Sequence, residues 1–194
     1  MTSGDNSRNA ERTRLEILAA ARDVLAERGT ATSLQHVATA AGISKGGLLH
    51  HFASKDDLLF AVVETYFESI QRGVRDRIDL SENRPGKALR AYVRALCEVD
   101  SPIRQEFARF ADFWSYLCSI PGVQELSDAD TAHWHEFLAG DGLDPDRILL
   151  VRYAAEGLAT ASSYDNAVLH DGLDRARPML LALCEPAPAR TVAE

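Results

Sequence analysis

The sequence predicts an all-α protein of about nine helices, and three observations lead to that prediction. Apolar residues recur at i, i+3, i+4 and i+7 in segment after segment, the spacing that gathers them on one face of a helix. Between those segments stand turn and cap residues, as in Ser81 to Gly86, Pro121-Gly122 and Gly140-Asp141-Gly142. The densest set of such signals, Thr32 to Lys55, reads as two short helices across a sharp turn.

The first helix is expected over Glu11 to Arg28, with Ile17, Leu18, Ala21, Val24 and Leu25 as its buried stripe and Gly29 as its stop. The polar residues 1–10 are expected to be disordered. Thr32 and Gln35 have capping-box spacing for a second helix, in which Leu34, Val37, Ala38 and Ala41 share a face. Gly42 supplies the left-handed backbone of the turn, and Ser44 caps a third helix whose Leu48 and Phe52 point inward together. A helix-turn-helix of this kind lays the start of its second helix in the DNA major groove. Here that start is Lys45, Gly46 and Gly47, where free N–H groups and the helix dipole favour a phosphate. Two glycines in one turn cost on the order of 1 kcal/mol each relative to alanine. Close approach of backbone to DNA would justify them; packing against a neighbouring helix is the alternative.

Ser54 caps a fourth helix, with Asp56 and Asp57 in its first turn and a stripe from Leu59 through Val74 to about Ile78. It is too long for a small domain alone and is expected to link two. Leu89, Tyr92, Val93 and Leu96 mark a fifth helix, and Ser101-Pro102 opens a sixth that carries Phe107, Phe110, Phe113, Trp114 and Leu117 as far as the break at Pro121. A seventh, from about Val123, holds Leu126, Trp134, Phe137 and Leu138; an eighth follows Asp144-Pro145 with Ile148, Val151, Ala155 and Leu158. After a break near His170-Asp171-Gly172 a ninth holds Leu173, Met179, Leu180 and Leu183, kinked at Pro178, and a flexible tail is expected from Glu185.

The run Ala38 to Leu59, with Ala-Gly, Ser-Lys, Leu-Leu-His-His-Phe, Lys55 and a Leu pair, resembles the DNA-binding domain of the TetR family of transcriptional regulators. The resemblance implies an N-terminal three-helix helix-turn-helix domain over 11–71 and a larger helical ligand-binding and dimerisation domain over 72–184, with the tail at 185–194. It implies DNA contacts from Thr32, Ser33, Lys45, Gly46, Gly47, Leu49, His50, His51 and Lys55, with His51, Lys55 and the hydroxyls at the second helix start on phosphates. Leu49 stands where the family usually has a phosphate-reaching Tyr; that contact is lost, or His50 replaces it. The family pairs its last two helices into a homodimer that reads a palindromic operator in double-stranded DNA. Ala154, Gly157, Leu158, Ala161, Leu180 and Leu183 are the matching surface here.

Charge and composition bound the alternatives. The net charge is −8, but residues 1–60 hold seven basic and seven acidic side chains, so the acidity belongs to the remainder. DNA affinity is then expected to rest on placed contacts more than on a general field, with a moderate salt dependence. Cys97, Cys118 and Cys184 are widely spaced in apolar contexts and read as reduced core thiols. There is no signal-peptide pattern and no membrane-length apolar run, so the chain reads as soluble and cytoplasmic. No catalytic set, cofactor motif or metal spacing appears; His133 and His135, two apart on a helix, do not share a face.

The aromatic set Phe107, Phe110, Phe113, Trp114, Trp134 and Phe137, with Leu117, is either ordinary core or the lining of a cavity for a small-molecule effector of unknown identity, which the resemblance favours. The expectation is a repressor released from DNA by an apolar or amphipathic ligand acting through the fourth helix. A regulator controlled by a protein partner docked on the aromatic face, a regulator with no effector at all, and a small helical enzyme beside a decayed DNA reader are the rival readings.

Overall fold

In the computed structural model, residues 3–186 are described, with side chains from Arg8 onward. Among them are ten α-helices and no strand: α1 (Ser3–Arg28), α2 (Leu34–Ala40), α3 (Lys45–His51), α4 (Lys55–Arg75), α5 (Lys87–Cys97), α6 (Pro102–Ala111), α7 (Trp114–Leu117), α8 (Val123–Ala139), α9 (Pro145–Ala161) and α10 (Leu173–Leu183). Two compact units divide the chain: one holds residues up to Phe67 together with Asp112–Ser127, the other Glu68–Ala111 and the chain from Asp128 on. Segment 112–127 therefore interrupts the domain expected to run unbroken over 72–184, and α4 and α8 each belong to both units.

The first unit has a core of Ile17, Leu25, Val37, Leu48, Phe52, Leu59 and Val62, all buried, with Leu117, Ile120 and Val123 also buried in its second segment. α1 begins at Ser3, eight residues earlier than the apolar stripe suggests, so residues 3–10 are helical rather than disordered. The stripe marks only where α1 is packed. Beyond it the exposed turns carry local pairs, Arg12 donating to Asn9 at 2.6 Å and facing Glu16 at 3.7 Å. The single helix expected from Pro102 to Leu117 breaks at Ala111. Phe113 there lies against Gly29, whose left-handed backbone (φ +55°) leaves a Cβ only 3.2 Å from the ring, and Trp114 meets Phe67 edge-on at 5.8 Å. Packing of these two aromatics within the first unit overrides the local helical pattern.

In the second unit α5 is buried on nearly every side, with Leu89, Tyr92, Val93 and Leu96 at 0–1% exposure, and it packs along α9, where Ala155 and Ala159 keep the approach close. Gly73 on α4 lies so near Ile103 of α6 that a Cβ would fall 2.2 Å from its Cδ1. The carboxylate of Asp141 caps α5, accepting from the N–H groups of Ala88 at 3.1 Å and Leu89 at 2.9 Å. α10 runs unbroken through Pro178 after a wide turn at Val168–Gly172. Glu185, expected in a flexible tail, is tied down: its carbonyl accepts from Arg147 at 2.6 Å and its carboxylate pairs with Arg84. The rest of that tail, residues 187–194, lies outside the described residues. No described helix is long and apolar enough to cross a membrane.

Candidate nucleic-acid interface

Burial of Leu48 (0% exposed) and Phe52 (3%) fixes which way α3 faces. With those two inward, helical geometry turns Gly46 and His50 outward with Leu49 at their flank, and Lys45 is exposed with them because it opens the first turn. Leu49, at 41%, is an uncommon large apolar residue to leave in water. Gly42, with φ +68°, makes the turn before α3, and the Gly47 N–H donates to Ser44 Oγ at 3.0 Å. From α1, the Arg14 guanidinium lies 4.8 Å over the Phe52 ring and braces the end of α3.

The two glycines differ. A Cβ on Gly47 would come within 3.3 Å of Ser44 Oγ and press on the cap, whereas one on Gly46 would meet only that oxygen, at 3.9 Å. Neither glycine faces a neighbouring helix, so packing between helices does not account for them, and Gly46 has no internal requirement for glycine.

Around α3, Ser33 and not Thr32 is the N-cap of α2: its Oγ accepts from the His36 N–H at 3.2 Å. Thr32 is buried, donating its hydroxyl to the Gly29 carbonyl at 2.7 Å, so its side chain is not presented with the other expected DNA contacts. Ser33 and His51 are half-buried at the rim. Lys55 Nζ donates to the Thr30 carbonyl at 3.3 Å and stands 5.4 Å over the Tyr116 ring. An ammonium has three donors, so this anchor positions the charge and leaves two N–H groups for an outside acceptor.

The second unit does not assemble the expected aromatic cavity. Phe113, Trp114 and Leu117 belong to the first unit, while Phe107, Phe110, Trp134 and Phe137 belong to the second. Phe110, Leu117 and Trp134 are core residues, and Phe137 stacks on His133 at 5.9 Å. A cavity of about 290 Å³ lies between α8 and α9 and takes from that set only Trp134. Of the expected dimer residues, Leu180 is buried in its own unit; Ala154, Leu158 and Ala161 are half-buried; Gly157 faces open space and Leu183 is 41% exposed. The exposed apolar residues of these helices are Leu149, Leu150 and Tyr153 on α9 and Met179 and Leu183 on α10, so that Gly157 and Leu183 of the expected set are joined by four residues outside it. Adjacent Leu149 and Leu150 held that signal, since an inward stripe at Ile148 and Val151 must turn intervening side chains out.

Comparison with known proteins gives two family matches: residues 17–62 fit "Bacterial regulatory proteins, tetR family" and residues 86–185 fit "Tetracyclin repressor-like, C-terminal domain". The chain is 31% identical over 114 residues to the HTH-type transcriptional repressor KstR2 of Mycobacterium tuberculosis, covering 58% of this chain and 56% of that protein. It is 29% identical over 131 residues to the HTH-type transcriptional regulator BetI of Burkholderia cenocepacia, covering 66% of each. These alignments thus span between about half and two-thirds of the curated relatives. Among solved structures, a transcriptional regulator from Rhodococcus sp. RHA1 superposes with a TM-score of 0.68 at 24% identity, over 90% of this chain and 99% of that one. The multidrug binding protein EbrR, complexed with malachite green, does so at 0.67 and 21%, over 90% and 98%. Both show the shared fold.

Proposed function

Because the chain belongs to the TetR family of bacterial regulatory proteins, we propose that it is a sequence-specific DNA-binding transcriptional repressor, acting as a homodimer on a palindromic operator and released by a small apolar or amphipathic ligand. The observation that carries this reading is the outward face of α3, where Lys45, Leu49 and His50 flank a glycine that nothing inside the protein requires. Lys45 and Leu49 are the side chains for base edges, the aliphatic one suited to a thymine methyl group; Ser33, His51 and the anchored Lys55 hold phosphates. Dimerisation uses the exposed apolar strip of α9 and α10, and two copies then present two α3 helices to two half-sites. Ligand binding in the second unit is transmitted through α4, which belongs to both units. Its influence on DNA affinity equals the ligand's differential affinity for the two states, typically about 1–3 kcal/mol.

The test is selection of bound duplexes from a random pool by the purified protein at two salt concentrations. Recovery of an inverted repeat is expected. Recovery of nothing above background from folded protein would refute the reading.

A further inference from the structure

The cavity between α8 and α9 has one charged wall. Trp134, Leu138, Leu143 and Ile148 make most of it apolar, with Leu149 and Tyr153 of the exposed α9 face and His135 also lining it; no Asp or Glu does, and Arg152 closes one side although the chain as a whole carries a net charge of −8. Arg152 is 6% exposed. A guanidinium has five N–H donors, and the hydrogen bond it makes here is from Nε to Glu156 Oε1 at 2.8 Å. That same oxygen accepts from the Tyr92 hydroxyl at 2.6 Å. Nη1 is buried with no partner at all. By contrast Arg90 and Arg104, the other guanidiniums buried to this depth in the unit, use all three of their nitrogens, Arg90 on Glu82, Pro85 and Cys184 and Arg104 on Val99 and Ser162. The guanidinium also lies 5.3 Å over the Tyr153 ring, and its buried Nη1, without a hydrogen bond beside an apolar hollow, marks an incomplete site.

We propose that this cavity binds a small amphipathic carboxylate, its apolar body against Trp134, Leu138 and Ile148 and its carboxylate accepting from the unused end of the Arg152 guanidinium. The volume, about 290 Å³, sits at the small end of the roughly 300–1,000 Å³ of ligand pockets, so the ligand is a short chain or a single ring with its acid, not a large polycycle. Glu156 does not compete for the acid's place, because its oxygen is held on the Nε side by Arg152 and Tyr92 together. Burial and the Glu156 charge raise the Tyr92 hydroxyl well above its ordinary pKa, so Tyr92 stays a neutral donor to Glu156 and leaves the guanidinium as the cation of this cluster. The proposal rests on the ligand-controlled reading above and gives its ligand a chemical class.

The experiment is calorimetric titration of the full chain with straight-chain carboxylates from butyrate to laurate and arylalkanoates from phenylacetate to phenylbutyrate, each beside its primary amide and the matching amine. A carboxylate that binds one per chain, at least roughly tenfold tighter than its amide and amine, is expected, as charge-assisted pairing requires. The double variant Arg152→Met with Glu156→Gln removes the buried cation and its half-buried partner together; it is expected to lose that preference while still unfolding cooperatively. Amide or amine binding as well as acid, no saturable binding across the series, or an unchanged preference in the double variant would each overturn the proposal. Duplex binding is measured on the same preparations without acid: protein that binds its duplex but no carboxylate overturns this inference alone, and protein that binds carboxylate but no duplex overturns the regulator reading.

Discussion

Arg90 is 1% exposed inside α5, and its neighbours show how a charge is kept there. Nε and Nη2 donate to Glu82 at 3.1 and 3.0 Å, and Nη1 donates to the carbonyls of Pro85 and Cys184 at 3.0 and 2.9 Å. Replacing Arg90 with Met leaves two carbonyls and Glu82 Oε2 without this donor, while Arg84 still holds Glu82 Oε1; urea denaturation is expected to show a loss of about 3 kcal/mol. Removing the half-exposed Arg84 is expected to leave the urea midpoint nearly unchanged. Gly46 offers a different separation of effects. Its Cβ position is open, so Gly46→Ala is expected to raise stability by up to about 1 kcal/mol while weakening DNA binding; unchanged affinity in a gel-shift titration would show that α3 does not approach DNA through this residue. The cysteines divide by burial, which pushes the thiols of Cys97 and Cys184 up to about 12 and raises Cys118 as well. Of the three, only Cys118 is half-buried, so mass spectrometry after iodoacetamide treatment near pH 8 should find it modified first and the other two only on unfolding.

At the scale of elements, the helices were legible in the sequence and several of their ends were not. Spacing of apolar residues places the helices, with α6 and α7 read as one, because burial of a stripe is what makes each one stable. Ends depend on partners far away in sequence. Thr32 and Ser33 both suit a cap, and the Gly29 carbonyl decides which hydroxyl is free to serve. The start of α5 depends on Asp141, more than fifty residues on; Asp141→Ala is expected to cost about 2 kcal/mol by thermal or urea unfolding, the upper range for a lost cap. Asp130 joins α8 to α4 by accepting from Gln71 at 2.7 Å, and burial raises its pKa against the pull of Gln71 and His133. A raised carboxyl pKa means the folded state resists ionisation. No penalty exists below the ordinary carboxylate range, and it develops as pH rises through that range and is complete above the folded value. Asp130→Asn should therefore melt on the order of 2 °C higher than the parent at pH 7, with the gap closing toward pH 3.

For the whole molecule, the DNA-reading face was legible because Ala38 to Leu59 combines cap, turn and stripe in one short run. The effector site was not, because a cavity is made by what fails to meet between helices, and no periodicity records that. Arg152, set in the stripe of Ile148, Val151 and Ala155, was the residue out of pattern. The apolar strip of α9 and α10 yields a prediction at this scale: Leu150→Glu with Met179→Glu is expected to give a monomer by light scattering and to lose affinity for an inverted repeat far more than for a single half-site. Dimers with unchanged operator affinity would place the interface elsewhere. The tie between Arg90 and Cys184, 94 residues apart, also orders events during synthesis. As the ribosome delivers α5, its buried cation has Glu82 and Pro85 behind it and nothing ahead; the carbonyl that completes it is made after α10. The second unit is thus the last to close, and a nascent chain stalled short of Cys184 exposes α5 to proteases and chaperones that the finished protein excludes.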